Sequence, residues 1–215
     1  EIYREHIKDL LNPNETHLKL RYNNTKGVYI QGLIEKYVYS PQDILQTIKE
    51  GTNQRTIAST ALNSVSSRSH AVLTLTILQK ITDGSDVVSK LHLIDLAGSE
   101  NVGRSEVQGV TLAEAQTINK SLSCLGNVIC ALTEKGRDHI PYRDSKLTFL
   151  LQDSLGGNAK TIIIATASPS YLCYSETLNT LKFARRAKDI KNLPKINKNE
   201  SIPQLLQTIE TVSYT

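Results

Sequence analysis

Residues 91–100 read LHLIDLAGSE, and this stretch gives the strongest indication of the fold. Its apolar residues lead up to the acidic Asp95, and Gly98 follows three positions later. A short apolar run that ends in a glycine turn predicts a buried strand. A second predicted strand, HAVLTLTILQKI, begins at His70, and a polar TDGSD turn separates the two. The centre of the chain is therefore predicted to be a pair of strands that are neighbours in sequence.

Strands and helices alternate on both sides of this pair, which predicts an α/β fold. Before it, EIYREHIKDLLNP is typical of a strand end and a helical turn, and HLKLRY and GVYIQGLI predict two strands. A helix is predicted from Ser40, with Asp43 in a capping box and Gly51 past its end. After the central pair, apolar residues spaced by three and four predict a long helix from Leu112 to Gly136. Then come a loop and helix in IPYRDSKLTFLLQDSLGG, a buried strand in KTIIIATASP, and a last helix in SETLNTLKFARRAKDIKN, which is predicted to begin with Ser175 as its cap.

The composition excludes several classes of protein. Hydrophobic residues make up 39% and charged residues 21%, which is typical of a globular chain and not of a disordered one. No apolar run approaches the roughly 20 residues of a membrane span, and no secretory signal opens the chain. The sequence contains no methionine and begins at Glu1, so we expect it to be a piece of a longer protein. Its three cysteines lack C-x-x-C spacing, which favours reduced packing cysteines over a disulfide or zinc site.

Positive charge is concentrated in the second half of the chain. Residues 120–198 contain 13 basic and six acidic residues, an excess of seven, whereas the whole chain carries a net charge of +4. Ordinary solvated helix faces explain this excess as readily as a surface that docks on an acidic polymer. Charge alone leaves both interpretations open.

Two polar motifs border the central strands. An acid at the end of a strand with a glycine three residues later suits nucleotide hydrolases, which need a carboxylate near Mg²⁺ and a backbone N–H near the terminal phosphate. NSVSSRSH, residues 63–70, precedes the other strand, and its serines could contact phosphate or Mg²⁺. A polar loop with local hydrogen bonds is the simpler interpretation of such serines. The pairing of the two motifs favours a phosphate site, because Arg68 and Glu100 supply opposite charges that could join across it.

These motifs resemble those of kinesin motor domains. NSVSSRSH and DLAGSE are similar to that family's switch I and switch II, and INKSL, HIPYRDSKLT and DSLGGNAKT are similar to its microtubule-facing segments. The resemblance runs in order through about residues 1–197. It implies the C-terminal portion of a P-loop NTPase-type motor domain, with a central β-sheet flanked by helices and with the N-terminal strands and P-loop missing. Residues 1–192 would belong to the motor domain, 193–200 to the neck linker, and 201–215 to the start of a neck or tail.

The resemblance also implies roles for individual residues. Ser66 and Ser67 would face phosphate and Mg²⁺, with Ser67 as the metal ligand, and Asp95 would reach Mg²⁺ through water. The Gly98 amide would sense the terminal phosphate of ATP, while Arg68 and Glu100 would close the pocket and position the attacking water. The residues expected to contact the microtubule are Asn119, Lys120, Tyr142, Arg143 and Lys146. Ile190 and Asn197 would dock the neck linker.

ATP, Mg²⁺ and the microtubule are thus the expected cofactors and partner. Neither nucleic-acid binding nor membrane insertion is expected. A homodimer through a coiled coil outside these 215 residues is a further expectation. The resemblance implies the cytoplasm and cytoskeleton as location, including the spindle, because KLTFLLQDSLGGNAKT leans toward the kinesin-twelve-like mitotic group.

The sequence contains no G-x-x-x-x-G-K-[ST] loop, and GGNAKT at residues 156–161 does not replace it. We therefore expect the chain by itself neither to bind nor to hydrolyse ATP, which a fluorescent-nucleotide titration would check. Exposed strand edges would also make it prone to aggregation. Two alternatives remain: a motor-like module that binds microtubules without ATPase activity, and a hydrolase of the G-protein type. The latter explains D-x-x-G but neither SSRSH nor PYRDSK.

Overall fold

The computed structural model describes residues 1–15, 17–24, 27–60, 68–80, 86–99 and 112–197, with only the backbone for 56–60 and 112–119. The chain divides into two compact units. The first contains Glu1–Arg21, Ile30–Ala97 and the segment from Ile196. The second contains Tyr22–Tyr29 and Gly98–Lys195.

The described strands form three two-stranded sheets. Strands β1 (Ile2–Tyr3) and β2 (His6–Ile7) pair, as do β3 (Lys19–Asn23) and β4 (Gly27–Gln31), and β5 (Ala71–Lys80) and β6 (Asp86–Asp95). The β5–β6 pair is antiparallel, with Ala71 opposite Asp95 and Lys80 opposite Asp86. This confirms the two predicted central strands. In the first unit, Ile2 also exchanges backbone hydrogen bonds of 2.7 and 2.9 Å with His70, directly before β5.

Helix α1 (Pro41–Thr60) has the predicted capping box. The Asp43 N–H donates to Ser40 Oγ at 3.1 Å, and the Ser40 N–H donates to Asp43 Oδ2 at 3.0 Å. The predicted end of the helix at Gly51 is wrong, because the helix continues for nine further residues. Gly51 is buried, and a side chain there would lie 3.7 Å from the Leu10 Cβ. Gly51 therefore lies inside the helix and does not terminate it.

The second unit is helical. It contains α2 (Leu112–Thr133), α3 (Lys146–Leu150) and α4 (Tyr174–Lys188), with 3₁₀ turns at Tyr142–Asp144 and Tyr171–Cys173. Helix α2 packs against α3 and α4, which confirms the long helix predicted from the apolar spacing. The buried hydrophobic side chains described in this unit are Cys124, Leu125, Val128, Ile129, Ala131, Leu147, Leu151, Leu155 and Ala187. No helix in the described part of the chain is long and apolar enough to cross a membrane.

Three further local predictions are wrong. KTIIIATASP forms no strand, and Ile162 and Ile164 are 88% and 85% exposed. A strand needs a partner for its backbone hydrogen bonds, and no described residue pairs with this segment. The helical turn before Pro13 is replaced by irregular chain, in which the Asp9 carboxylate accepts the N–H groups of Leu11 and Ile34, both at 2.8 Å. Helix α4 begins one residue earlier than predicted, after Cys173, and Ser175 does not cap it.

Candidate functional site

The register of the β5–β6 hairpin sets the position of the first site. Because Ala71 lies opposite Asp95, the residues that precede β5 meet the residues that follow β6 at one end of the hairpin. The serine-rich motif ends at His70, and the D-x-x-G motif begins at Asp95. The hairpin therefore brings the described ends of both motifs together, as we expect for loops that share a ligand.

Arg55 of helix α1 contacts three residues at this end of the hairpin: Asp95, Ser69 and Glu1. Its Nη1 lies 2.7 Å from Asp95 Oδ2, and its Nη2 donates to the Ser69 carbonyl at 2.9 Å. Its Nε donates to Ser69 Oγ at 3.3 Å and lies 3.7 Å from Glu1 Oε1. The Arg55 side chain is 12% exposed and that of Glu1 only 3%, whereas the Asp95 side chain is 71% exposed. One largely buried guanidinium thus holds an accessible carboxylate and a buried one.

Ser69 fixes the chain where it enters β5. The residue is fully buried, and its hydroxyl donates to Glu1 Oε1 at 2.7 Å while accepting from Arg55. Buried polar groups of this kind are costly unless they are hydrogen-bonded, and here the acceptor and the donor are both provided. The three side chains therefore form a satisfied polar cluster directly behind the motif ends.

His70 joins the two motifs. Its Nδ1 accepts the Ala97 N–H at 2.9 Å, so the ring proton resides on Nε2 when the imidazole is neutral. Burial, and to a smaller extent the Arg55 charge, lower the pKa of His70 to about 4, although the Asp95 charge partly opposes them. The ring is consequently neutral near pH 7. It fixes the first residues of the turn that leads from Asp95 to Gly98.

The structure places some of the predicted nucleotide-site residues and not others. Asp95 and Gly98 are described, and Gly98 is half-buried. Arg68 is half-buried and directly precedes Ser69. The predictions for Ser66, Ser67 and Glu100 fall outside the described residues, so the expected pairing of Arg68 with Glu100 stays a prediction.

The basic residues predicted to face a polymer lie in the second unit. Lys120 of α2 and Arg143 of the 3₁₀ turn are exposed, and Lys146 opens α3. The Arg143 guanidinium lies over the Phe149 ring, 5.4 Å from its centroid, which favours one orientation of this long side chain. The Tyr142 hydroxyl donates to the Leu155 carbonyl at 2.5 Å. The prediction for Asn119 concerns a side chain outside the described set.

The predicted neck-linker residues are described as far as Asn197. The Ile190 side chain is half-buried, and its N–H donates to the Ala187 carbonyl at 3.2 Å as the helix ends. Within the first unit, Asn197 Nδ2 donates to the Val88 carbonyl at 3.3 Å. Within the second unit, Leu193 N–H donates to the Gly157 carbonyl at 3.0 Å. These contacts are compatible with docking roles for Ile190 and Asn197, which stay predictions.

The sequence interpretation missed Arg55, the bond made by His70, and Asn192. Nothing in the helical pattern distinguishes Arg55 from other helix-surface cations, because its partners are 14, 40 and 54 positions away in the sequence. His70 lies inside the quoted NSVSSRSH motif, and Asn192 lies inside KNLPKIN. Membership of those motifs is the only signal that could have pointed to either residue.

The described residues include no cluster of three or more His, Cys, Asp or Glu side chains that could enclose a metal ion. Mg²⁺ in nucleotide sites is usually held by one or two protein groups and the phosphates within a largely hydrated shell. The exposed carboxylate of Asp95 at the end of a strand is chemically able to supply one such group.

Comparisons with known proteins agree with the resemblance seen in the sequence motifs. The kinesin motor domain model matches residues 1–190. Kinesin-related protein 5 of Dictyostelium discoideum is 52% identical over 206 residues, which cover 95% of this chain and 21% of that protein. The kinesin heavy chain of Syncephalastrum racemosum is 49% identical over 213 residues, or 99% of this chain and 23% of that protein. This chain therefore spans about a fifth of the length of these curated relatives.

A solved structure described as that of a fast kinesin superposes with a TM-score of 0.84 at 49% identity. The alignment covers 96% of this chain and 58% of the other. At this identity and coverage, the α/β motor fold inferred from the sequence is confirmed.

Proposed function

Because this chain belongs to the kinesin motor domain family, we propose that it is the part of an ATP-dependent microtubule motor that carries switch I, switch II, the microtubule-binding segments and the neck linker. In the full-length protein it would couple ATP hydrolysis to movement along microtubules. The observation that carries this proposal is the β5–β6 register, which brings the described ends of the SSRSH and DLAGSE motifs, residues 68–70 and 95–97, to one end of a hairpin. The alternative of a microtubule-binding module without ATPase activity is less favoured, because such a module has no chemical need for both motifs.

The described residues fit a Mg²⁺–ATP site in part. We propose that Asp95 holds the Mg²⁺ shell through water, Ser66 and Ser67 face the phosphates and metal, and Gly98 presents its amide to the terminal phosphate. Arg68 and Glu100 would close the site around the attacking water. When bound, Mg²⁺–ATP supplies the phosphoryl group and neutralises its developing charge. Arg55 holds Asp95 at the end of β6, and His70 holds Ala97 in the turn that follows.

Asp95 already has a cationic partner at this site. Its carboxylate contacts the Arg55 guanidinium at 2.7 Å, and Glu1 shares this positive charge. The carboxylate is also mostly exposed, which lets water approach it from the side that Arg55 does not cover. This arrangement supports water-mediated contact with Mg²⁺ and not direct enclosure of the ion.

The microtubule is the partner that the basic second unit suits best. We propose that Asn119, Lys120, Tyr142, Arg143 and Lys146 form its contact residues. An acidic polymer attracts an excess of seven positive charges over residues 120–198, and the attraction between exposed charges weakens as salt screens it. Residues 193–200 would then form the neck linker, with Ile190 and Asn197 as docking residues.

Cosedimentation with microtubules tests this proposal. We expect the chain to bind taxol-stabilised microtubules at low ionic strength and to release them as salt rises. Replacing Arg143 with Ala should weaken binding roughly threefold and flatten the salt dependence, since an exposed charge pair contributes up to about 1 kcal/mol. The dissociation constant at several salt concentrations is the measurement.

Arg137→Ala is the matched control. Arg137 is an exposed arginine in the same unit, but its Nη1 is paired with Glu134 Oε2 at 2.8 Å, so its charge is largely compensated. We expect this variant to bind as the unchanged chain does. Equal losses in both variants, or binding that is indifferent to salt, would contradict a specific role for Arg143.

The remaining expectations are also proposals. We propose that the full-length protein acts on the microtubule cytoskeleton, including the spindle, and that it dimerises through a coiled coil. The lean to the kinesin-twelve-like group stays a prediction, because the relatives described above are about equally similar to the chain.

A further inference from the structure

We propose that Tyr142 is a positioning residue that holds the start of the 192–197 segment through the peptide bond between Leu155 and Gly156. The proposal rests on the proposed function, in which Tyr142 belongs to the microtubule-binding segment and residues 193–200 to the neck linker. It assigns the tyrosine hydroxyl to a contact inside the second unit.

The hydroxyl of Tyr142 is hydrogen-bonded to the backbone. It donates to the Leu155 carbonyl at 2.5 Å, and the side chain is half-buried. Burial raises the pKa of Tyr142, and the Asp153 charge raises it further, so the hydroxyl keeps its proton and stays a donor. The Tyr142 carbonyl is held as well, since it accepts from Thr148 Oγ1 at 2.6 Å. The residue is thus fixed at both its backbone and its side chain.

The other side of the same peptide bond is held by Asn192. The Gly156 N–H donates to Asn192 Oδ1 at 2.7 Å, while the Leu155 carbonyl of that peptide accepts from Tyr142. Hydrogen bonds at the two ends of one peptide group polarise and strengthen each other. Asn192 Nδ2 donates to the Ser154 carbonyl at 3.0 Å and lies 2.9 Å from Thr161 Oγ1. These partners fix the orientation of the Asn192 amide, because one of them can only donate and another can only accept.

Gly156 lets these side chains approach so closely. Its φ of +84° lies in the region that favours glycine. A Cβ at this position would lie 2.7 Å from Leu132 Cδ2 and 3.3 Å from the Tyr142 hydroxyl oxygen. The peptide is therefore packed directly against helix α2 and beneath the tyrosine, where it has little freedom to shift.

The terminal segment continues along the same loop. Leu193 N–H donates to the Gly157 carbonyl at 3.0 Å, and Lys195 N–H donates to Asn158 Oδ1 at 2.5 Å. Residues 154–158 thus act as a template on which residues 192–195 lie. A shift of Tyr142 would be transmitted to Asn192 through the Leu155–Gly156 peptide group, which is rigid because a peptide bond resists rotation.

The test compares Tyr142→Phe with the unchanged 215-residue chain. Amide hydrogen exchange of Gly156 and Leu193 is measured, and microtubule binding is measured in parallel by cosedimentation. We expect exchange at both amides to become roughly three- to tenfold faster, which is the loss of about one hydrogen bond. Microtubule affinity, measured on the same variant, tells whether the hydroxyl also contributes to the polymer contact.

Two controls separate this effect from general destabilisation. Tyr171→Phe makes the same chemical change at a side chain that is 85% exposed, and it should leave exchange at Gly156 and Leu193 unaltered. The amides of Val128 and Ile129, in the core of α2, should keep their protection in Tyr142→Phe. Asn192→Ala should accelerate exchange at Leu193, and its effect should be non-additive with that of Tyr142→Phe, because both act on one peptide group.

Unchanged exchange at Leu193 in Tyr142→Phe would overturn the proposal, and a loss of microtubule affinity alongside it would assign the hydroxyl to direct contact. Additive effects of the two substitutions would also count against the proposal. The proposed function fails separately: if the unchanged chain does not bind microtubules at all, that function loses its support, while the exchange measurements still decide the role of Tyr142.

Discussion

Replacing Arg55 with Ala is expected to lower the free energy of unfolding by about 3–5 kcal/mol. The substitution removes the guanidinium beside the Glu1 carboxylate, whose side chain is only 3% exposed. It also removes the donor that the Ser69 carbonyl accepts at 2.9 Å. A buried carboxylate that loses its partner keeps the full cost of desolvation, and this cost outweighs the attraction that was lost. Urea unfolding, with the midpoint and slope fitted separately, measures the change.

Two variants define how specific the Arg55 effect is. Arg55→Lys keeps the charge but loses the planar fork that reaches several partners at once, so its stability should be intermediate. Lys36→Ala removes a cation from an exposed pair with Glu50, in which the side chains are 45% and 42% exposed. That change should cost less than about 1 kcal/mol. If Arg55→Ala were no more destabilising than Lys36→Ala, the buried cluster would not stabilise the fold.

His70 is expected to make the protein sensitive to mild acid. Its pKa is lowered from 6.5 to about 4, mainly by burial. Between these values the unfolded chain binds a proton that the folded chain excludes, so the free energy of unfolding falls as the pH falls. The full contribution is present above pH 6.5, and about 3 kcal/mol is lost by pH 4. Urea unfolding at pH values from 7 to 4 measures this dependence.

His70→Asn is the informative variant for this prediction. Its side-chain oxygen can accept the Ala97 N–H in place of Nδ1, but it does not titrate. We expect the loss of stability between pH 6.5 and pH 4 to be much smaller in this variant. Asp43 and Glu50 also have lowered pKa values, through hydrogen bonds from Tyr39 and Lys36 respectively, so the stability they confer is lost below their usual values of 3.8 and 4.5. An unchanged loss of stability between pH 6.5 and pH 4.5 in His70→Asn would contradict the prediction, because these two carboxylates lose their contribution only at lower pH.

The elements that the sequence predicts well are those whose signal is local. The β5–β6 hairpin and helix α2 carry their periodicity within ten to 22 residues, and both form as expected. The KTIIIATASP segment has an equally strong apolar pattern, yet Ile162 and Ile164 are exposed. Burial of a strand depends on a partner elsewhere in the chain, and a local pattern contains no information about that partner.

The candidate site also combines residues that the sequence predicts with residues that it does not. Asp95 and His70 could be placed from their motifs and from the order of the strands. Arg55 could not, because its contacts with Ser69 and Asp95 join residues 14 and 40 positions apart. The contact between Ser69 and Glu1 spans 68 positions. Such contacts depend on how helix α1 and strand β1 pack, which the sequence pattern alone does not determine.

The hydrogen bonds around Asn192 have a mechanical consequence. A pull on the chain beyond Lys195 loads the Lys195 and Leu193 amides in turn, and each gives way after a single bond. Asn192 shares the same load among three bonds, to Gly156, Ser154 and Thr161, which must break together. We therefore expect separation of the segment under force to stop at Asn192, and the force to reach helix α4 only after these three hydrogen bonds have broken.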